Sequence, residues 1–181
     1  MRSRLQLAQH LLDHGFRVLD DNVATLTLDE ALFIAPGGYR SILGLIKHAA
    51  GWSHVYHSYA FEPQPTHWGD INWPRGRRDT VEPTRDYLDE VIAWLRRSHQ
   101  EWVTSLQALT EQEVEQMRPL HWGERAPLFD IVVLIAQHHG YHAGEINYLL
   151  SIARGEAWED GEEVEENHIC TLGHRVRPPW L

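Results

Sequence analysis

The sequence has a single cysteine, Cys170, among 181 residues. One thiol cannot form an internal disulfide, and it cannot build a zinc site that needs several thiolates. A reducing cytoplasm is therefore the expected location.

Basic residues are also scarce, since 16 Lys and Arg stand against 26 Asp and Glu and the net charge is −10. Binding along a nucleic-acid backbone relies on Lys and Arg to replace counterions, so this balance argues against a nucleic-acid partner. Neither a signal-peptide core nor an apolar run of the ~20 residues needed to span a bilayer occurs. We expect no nucleic-acid partner and no membrane segment.

Four long amphipathic segments are present, over about residues 4–20, 41–61, 84–109 and 127–154. Ser41 is a suitable N-cap for the second segment, and no convincing strands are found. The pattern predicts an all-α four-helix bundle with long loops. The length fits one domain, 1–181, with its core over about 5–155. Residues 156–181 form an acidic segment and an irregular tail, most simply a solvated face.

Two of the 13 histidines, His138 and His142, lie four residues apart within an apolar helical run. That spacing projects both rings from one face of a helix. Buried polar rings require a partner, and one divalent ion would satisfy both. His10 and His14 share the spacing but are expected to lie opposite the apolar stripe, in solvent. His139 is expected to point about 100° away from His138 and either to have a structural role or to support a ligand from behind.

His48 occupies the apolar stripe of the second helix and is the third candidate ligand. Three imidazoles leave one coordination position open, which is typical of catalytic rather than structural zinc sites. The alternative for His48 is a core histidine with a hydrogen-bond partner.

Three aromatic residues, Trp52, Tyr56 and Tyr141, are candidates for substrate contacts, with Trp68 and Trp73 as further candidate walls of a pocket. The alternative for all of them is ordinary core packing. Glu145 lies about one turn after His142, where it could accept a hydrogen bond from a ligand or shuttle a proton. The slightly favoured alternative is a carboxylate that faces solvent or pairs with a basic side chain.

These motifs together resemble the DinB/YfiT-like superfamily over roughly residues 5–155. The resemblance rests on Ser41-Ile42 at the start of a helix, on His48, and on the run His142-Ala143-Gly144-Glu145-Ile146. It implies an up-down-down-up four-helix bundle, usually a homodimer, with one zinc or nickel ion held by three histidines. By position those ligands are His48, His138 and His142. Members of the superfamily often have Gln where this chain has Glu145.

The superfamily that this chain resembles includes thiol-dependent transferases, which use a low-molecular-weight thiol, and metal-dependent hydrolases. We therefore expect a metal-dependent enzyme that activates water or a thiol on a small-molecule substrate. The alternative is a non-catalytic, dimeric bundle that binds a metal or a ligand, with Cys170, the acidic tail and the basic end of the chain as interaction elements.

Overall fold

The computed structural model describes residues 2–76 and 83–155, and within these ranges the chain is mostly helical. The predicted all-α bundle is confirmed. Its helices are α1 (Arg4–Val23), α2 (Leu28–Leu32), α3 (Ile42–Phe61), α4 (Arg85–Gln107) and α5 (Leu128–Arg154). None of the described helices combines the length and apolarity needed to cross a membrane. The acidic segment and the tail, with Cys170, lie outside the described residues.

Side-chain caps fix where the long helices begin. The hydroxyls of Ser3, Ser41 and Thr84 each accept a hydrogen bond from the backbone N–H three residues later. Such caps satisfy donors that the first turn of a helix leaves without a partner. The cap predicted at Ser41 is thus confirmed, and it fixes the start of the helix that carries His48.

Helices α1 and α5 pack in parallel and very closely. Gly15 of α1 lies against the backbone of Ala136. Farther along both helices, Nδ2 of Asn22 donates a buried hydrogen bond of 2.8 Å to the carbonyl oxygen of Ala143. Because both contacts advance in the same direction, α5 is held in register against α1.

Contacts of α4 give the directions of the remaining helices. Gln9, near the start of α1, is hydrogen-bonded to Leu106, near the end of α4, whereas Asp20, near the end of α1, is hydrogen-bonded to Arg96, earlier in α4. Helix α4 therefore runs antiparallel to α1. Against α3 it runs parallel, as shown by the pairs Lys47 with Tyr87 and Ser53 with Trp102. Helices α1, α3, α4 and α5 therefore run up, down, down and up.

A short hairpin departs from the expectation that no strands are present. Strands β1 (Met117–Pro119) and β2 (Arg125–Pro127) pair antiparallel, with Arg118 opposite Ala126. Strands of three residues are too short to show the two-residue periodicity that predicts a strand. The hairpin places its connecting loop, 120–124, beside the end of α3 that carries Tyr56.

The close contact of α1 with α5 predicts that Gly15→Ala destabilises the protein. A Cβ at position 15 would lie 2.5 Å from the carbonyl oxygen of Ala136, so the helices would have to separate. We expect the free energy of unfolding, measured by urea denaturation, to fall by about 1–3 kcal/mol.

The matched control for Gly15 is Gly140 of α5, where an added Cβ meets nothing within 4 Å. Gly140→Ala should raise the free energy of unfolding by about 0.5–1 kcal/mol, because alanine loses less backbone entropy in a helix. If both variants were stabilised equally, the tight packing of α1 on α5 would be contradicted.

Candidate metal centre

Three histidines from two helices meet at the contact between α3 and α5. The ring nitrogens offered by His48, His138 and His142 all lie within 4.8 Å of one another. The Nε2 atoms of His138 and His142 are 3.1 Å apart. Two nitrogens bound at 2.0–2.1 Å to one tetrahedral ion would be separated by about 3.3 Å. The cluster could therefore hold a metal ion.

Helix geometry explains how the three rings come together. His138 and His142 are one turn apart on α5, and their ring centroids are 4.4 Å apart. His48 reaches them from the facing helix, with its centroid 5.4 Å from His138 and 4.9 Å from His142. Both helices are continuous through these positions. The donors thus stand on rigid elements.

Burial keeps the three imidazoles uncharged at neutral pH. Desolvation, with the neighbouring His142 and His48 charges, lowers the pKa of His138 to about 3. Desolvation, with His142 and Arg40, lowers the pKa of His48 to about 4. Desolvation also lowers the pKa of His142, although Glu145 acts in the opposite direction. Neutral imidazole is the form that binds a metal ion, so the rings are ready as donors.

Glu145 lies behind one of the three rings. Its Oε2 atom is 2.9 Å from Nδ1 of His142. A carboxylate there accepts a hydrogen bond from Nδ1–H, which leaves the Nε2 lone pair of His142 directed toward His138. Glu145, whose side chain is 38% exposed, therefore pairs with a candidate ligand, and its role at the site stays a prediction. For His138, the buried Nδ1 has no hydrogen-bond partner among the residues described.

An aromatic wall borders the cluster on the side of α3. Trp52 stacks on Trp68 with ring centroids 4.4 Å apart, and the Trp68 ring meets the His48 ring edge-on, with centroids 5.8 Å apart. Tyr56 follows one turn after Trp52, at 5.7 Å. Trp73, considered as another wall residue, is instead buried in the core against Trp68 and Trp94.

The hairpin loop extends this wall with a histidine to which the sequence pattern gave no role. The ring of His121 lies 4.6 Å from Trp52 and 5.3 Å from Tyr56, with Trp122 beside it at 4.7 Å. Desolvation by these neighbours lowers the pKa of His121. No local motif marks such a residue, because its proximity to α3 depends on the hairpin.

Tyr141 occupies the outer side of the cluster. Its side chain is 69% exposed, and its ring meets His142 edge-on at 5.0 Å. It is therefore close to a candidate ligand, yet open to solvent, where a bound molecule would meet it.

The remaining conspicuous histidines lie elsewhere. His139 is fully buried against Phe16 and His99, whereas His138 is only half-buried. His139 thus has the contacts of a core residue, because α5 packs against other helices on more than one face. His10 and His14 are partly exposed, with ring centroids 6.3 Å apart, and they lie outside the cluster.

A surface cavity of about 440 Å³ lies away from the histidines, between the end of α1 and α4. Two of its arginines, Arg85 and Arg96, already pair with Asp89 and Asp20. The lining of this cavity has no histidine or cysteine, so the histidine cluster is the better candidate for a metal site.

Comparisons with known proteins bear on the fold and the family of this chain. A solved structure described as the conserved protein of locus from Enterococcus faecalis has a TM-score of 0.62 at 16% identity, over 86% of this chain and all of that one. At that identity the likeness concerns the fold alone. Among curated proteins, none matches the sequence. The family model of the DinB superfamily matches residues 11–146. Because this match spans well over half of the 181 residues, the chain belongs to the DinB superfamily.

Proposed function

We propose that the protein is a metal-dependent enzyme in which His48, His138 and His142 hold one divalent ion. The observation that carries this proposal is the convergence of three uncharged ring nitrogens within 4.8 Å. Within the described part of the chain, the cluster includes no fourth His, Cys, Asp or Glu. A three-histidine set leaves a position for a reactant, which favours catalysis over a closed structural site. Imidazole donors suit both zinc and nickel.

When bound, such an ion lowers the pKa of a water or a thiol and so supplies a nucleophile at neutral pH. The side chains around it would orient the reaction. Glu145 fixes the tautomer of His142 through the 2.9 Å contact to Nδ1. His121 stays neutral at pH 7, because its pKa is lowered, and can accept a proton at the wall.

The substrate is proposed to be a small molecule enclosed by aromatic rings. Trp52 and Tyr56 provide apolar faces on one side of the cluster, and Tyr141 provides an exposed ring on the other. Such rings exclude water and give shape selectivity. The reaction is hydrolysis, or transfer of a low-molecular-weight thiol. The homodimer implied by the sequence resemblance is retained as a proposal, which light scattering would test.

His48→Ala should abolish both metal retention and turnover, because two imidazoles from one helix remain. The loss of affinity should exceed the roughly 10–100-fold that outer hydrogen-bond partners contribute. The measurement is metal content per chain by plasma emission, on untagged protein.

His10→Ala is the control for His48→Ala, since it removes a half-buried histidine outside the cluster. Turnover would be sought with ester and amide substrates, and with thiols paired with electrophiles. Full metal content in His48→Ala would reject the ligand assignment. Turnover that survives chelation would reject the metal mechanism.

Glu145→Gln should weaken metal binding by about tenfold, because a neutral amide accepts less strongly than a carboxylate from Nδ1–H of His142. The matched control is Glu101→Gln, which alters a second carboxylate–histidine contact, 3.5 Å from His54. Competition with a metal-sensitive dye measures both affinities. Equal affinities in the two variants would show that Glu145 does not act on the site.

Acidification should destabilise the metal-free protein below pH 6.5. The pKa of His48 is about 4 and that of His138 about 3 in the folded chain, against an ordinary 6.5. Between these values the unfolded chain binds more protons, so the free energy of unfolding falls as pH decreases. Urea midpoints at several pH values measure this slope.

His48→Phe removes one of these titrating groups and should lose less stability than the unmodified protein over the same interval. The difference should grow from pH 6.5 to about 4, where His48 itself becomes protonated in the folded state. Parallel slopes for the two proteins would mean that His48 is not desolvated.

A further inference from the structure

Arg40 lies beside the histidine cluster without belonging to it. It immediately precedes Ser41, the cap of α3, and its stem crosses Gly44. A Cβ built on Gly44 would be 2.7 Å from Cγ of Arg40 and 3.6 Å from its Cδ. The missing side chain at position 44 therefore lets Arg40 lie directly on the surface of α3.

That part of α3 faces the candidate metal centre. Gly44 and His48 are one turn apart and lie on the same face. Side chains on a helix lean toward its N-terminus, so the His48 ring covers the turn where Gly44 sits. The stem of Arg40 and the ring of His48 thus occupy neighbouring positions.

The charge of Arg40 reaches two of the three rings. It lowers the pKa of His48 and that of His142, in each case after the larger effect of burial. The carboxylate of Glu145, the acidic group in contact with the cluster, is engaged by Nδ1 of His142. Arg40 therefore contributes positive charge at the cluster that Glu145 does not neutralise by direct contact.

Within the described ranges Arg40 also has no anionic partner, and its guanidinium lies 5.2 Å from the exposed ring of Tyr39 in a cation–π contact. Five arginines of the bundle have their guanidinium groups paired with carboxylates, namely Arg4, Arg75, Arg85, Arg96 and Arg154. A half-buried guanidinium with open donors is suited to bind an anion from outside the chain.

We propose that Arg40 binds a carboxylate group of the small-molecule reactant at the three-histidine centre. The reactant class is then anionic rather than neutral or cationic. A guanidinium can bind a carboxylate through two parallel hydrogen bonds, which would orient the molecule as well as attract it. This inference rests on the proposed metal site, and it names Arg40 as the residue that selects which reactant binds there.

The test uses full-length protein loaded with cobalt(II) in place of the native ion. Its absorption spectrum before any thiol is added is the baseline, because Cys170 is the chain's own thiol. Two length-matched pairs of thiols are titrated: mercaptopropionate with mercaptopropanol, and mercaptohexanoate with mercaptohexanol. Sulfur-to-cobalt charge-transfer absorption reports binding directly, without need of turnover.

At least one acid should bind about tenfold more tightly than its matched alcohol, as expected for a hydrogen bond between charged groups. Arg40→Gln should abolish that preference while cobalt content stays unchanged. Arg40→Lys should retain part of it, because the charge remains but the paired donors are lost. Arg97→Gln is the control, since it removes an exposed arginine of α4 that lies outside the cluster.

The possible failures can be told apart. If cobalt binds but neither acid is preferred over its matched alcohol, or none of the four thiols binds, the role of Arg40 is overturned and the metal site stands. If the preference persists in Arg40→Gln, another residue selects the anion and the inference is wrong. If cobalt does not bind at all, the proposed function fails and this inference fails with it.

Discussion

Desolvation of three imidazoles at the contact between α3 and α5 is the condition on which the candidate site depends. Removed from water, His48 and His138 are uncharged well below neutral pH, and burial lowers the pKa of His142 as well. Protonated rings at these separations would repel one another and could not donate lone pairs. The bundle thus keeps in its interior a group of polar atoms that ordinary packing would avoid, and a metal ion is the partner that would satisfy them together.

Helix α5 contacts α1 on one side and carries two of the three imidazoles on another. One side of the helix packs on α1 without a side chain at Gly15 between the backbones, and is held by the bond from Asn22 to Ala143. Another side presents His138, His142 and Glu145 to α3. Packing density allows little adjustment between such elements. The contact of α1 with α5 therefore also sets how far the two donors of α5 stand from His48.

Much of this could be predicted from the sequence, because it depends on local patterns. Apolar stripes and the cap at Ser41 identified the long helices, and the facing of three histidines suggested their convergence. The relative depth of His138 and His139 could not be predicted, since a helix that packs on several neighbours has no single apolar stripe. The approach of His121 to Trp52 was also beyond reach, because it depends on a hairpin whose strands have three residues each.

Part of the wall belongs to a different kind of structure from the candidate metal donors. The three histidines stand on long helices, whereas Trp68 and His121 stand on connections that join helices. Connections accept substitutions and insertions more readily than packed helices do. The residues around the cluster can therefore change without any change in the helices that hold the three histidines, so the histidines alone are a poor guide to which molecule would bind beside them.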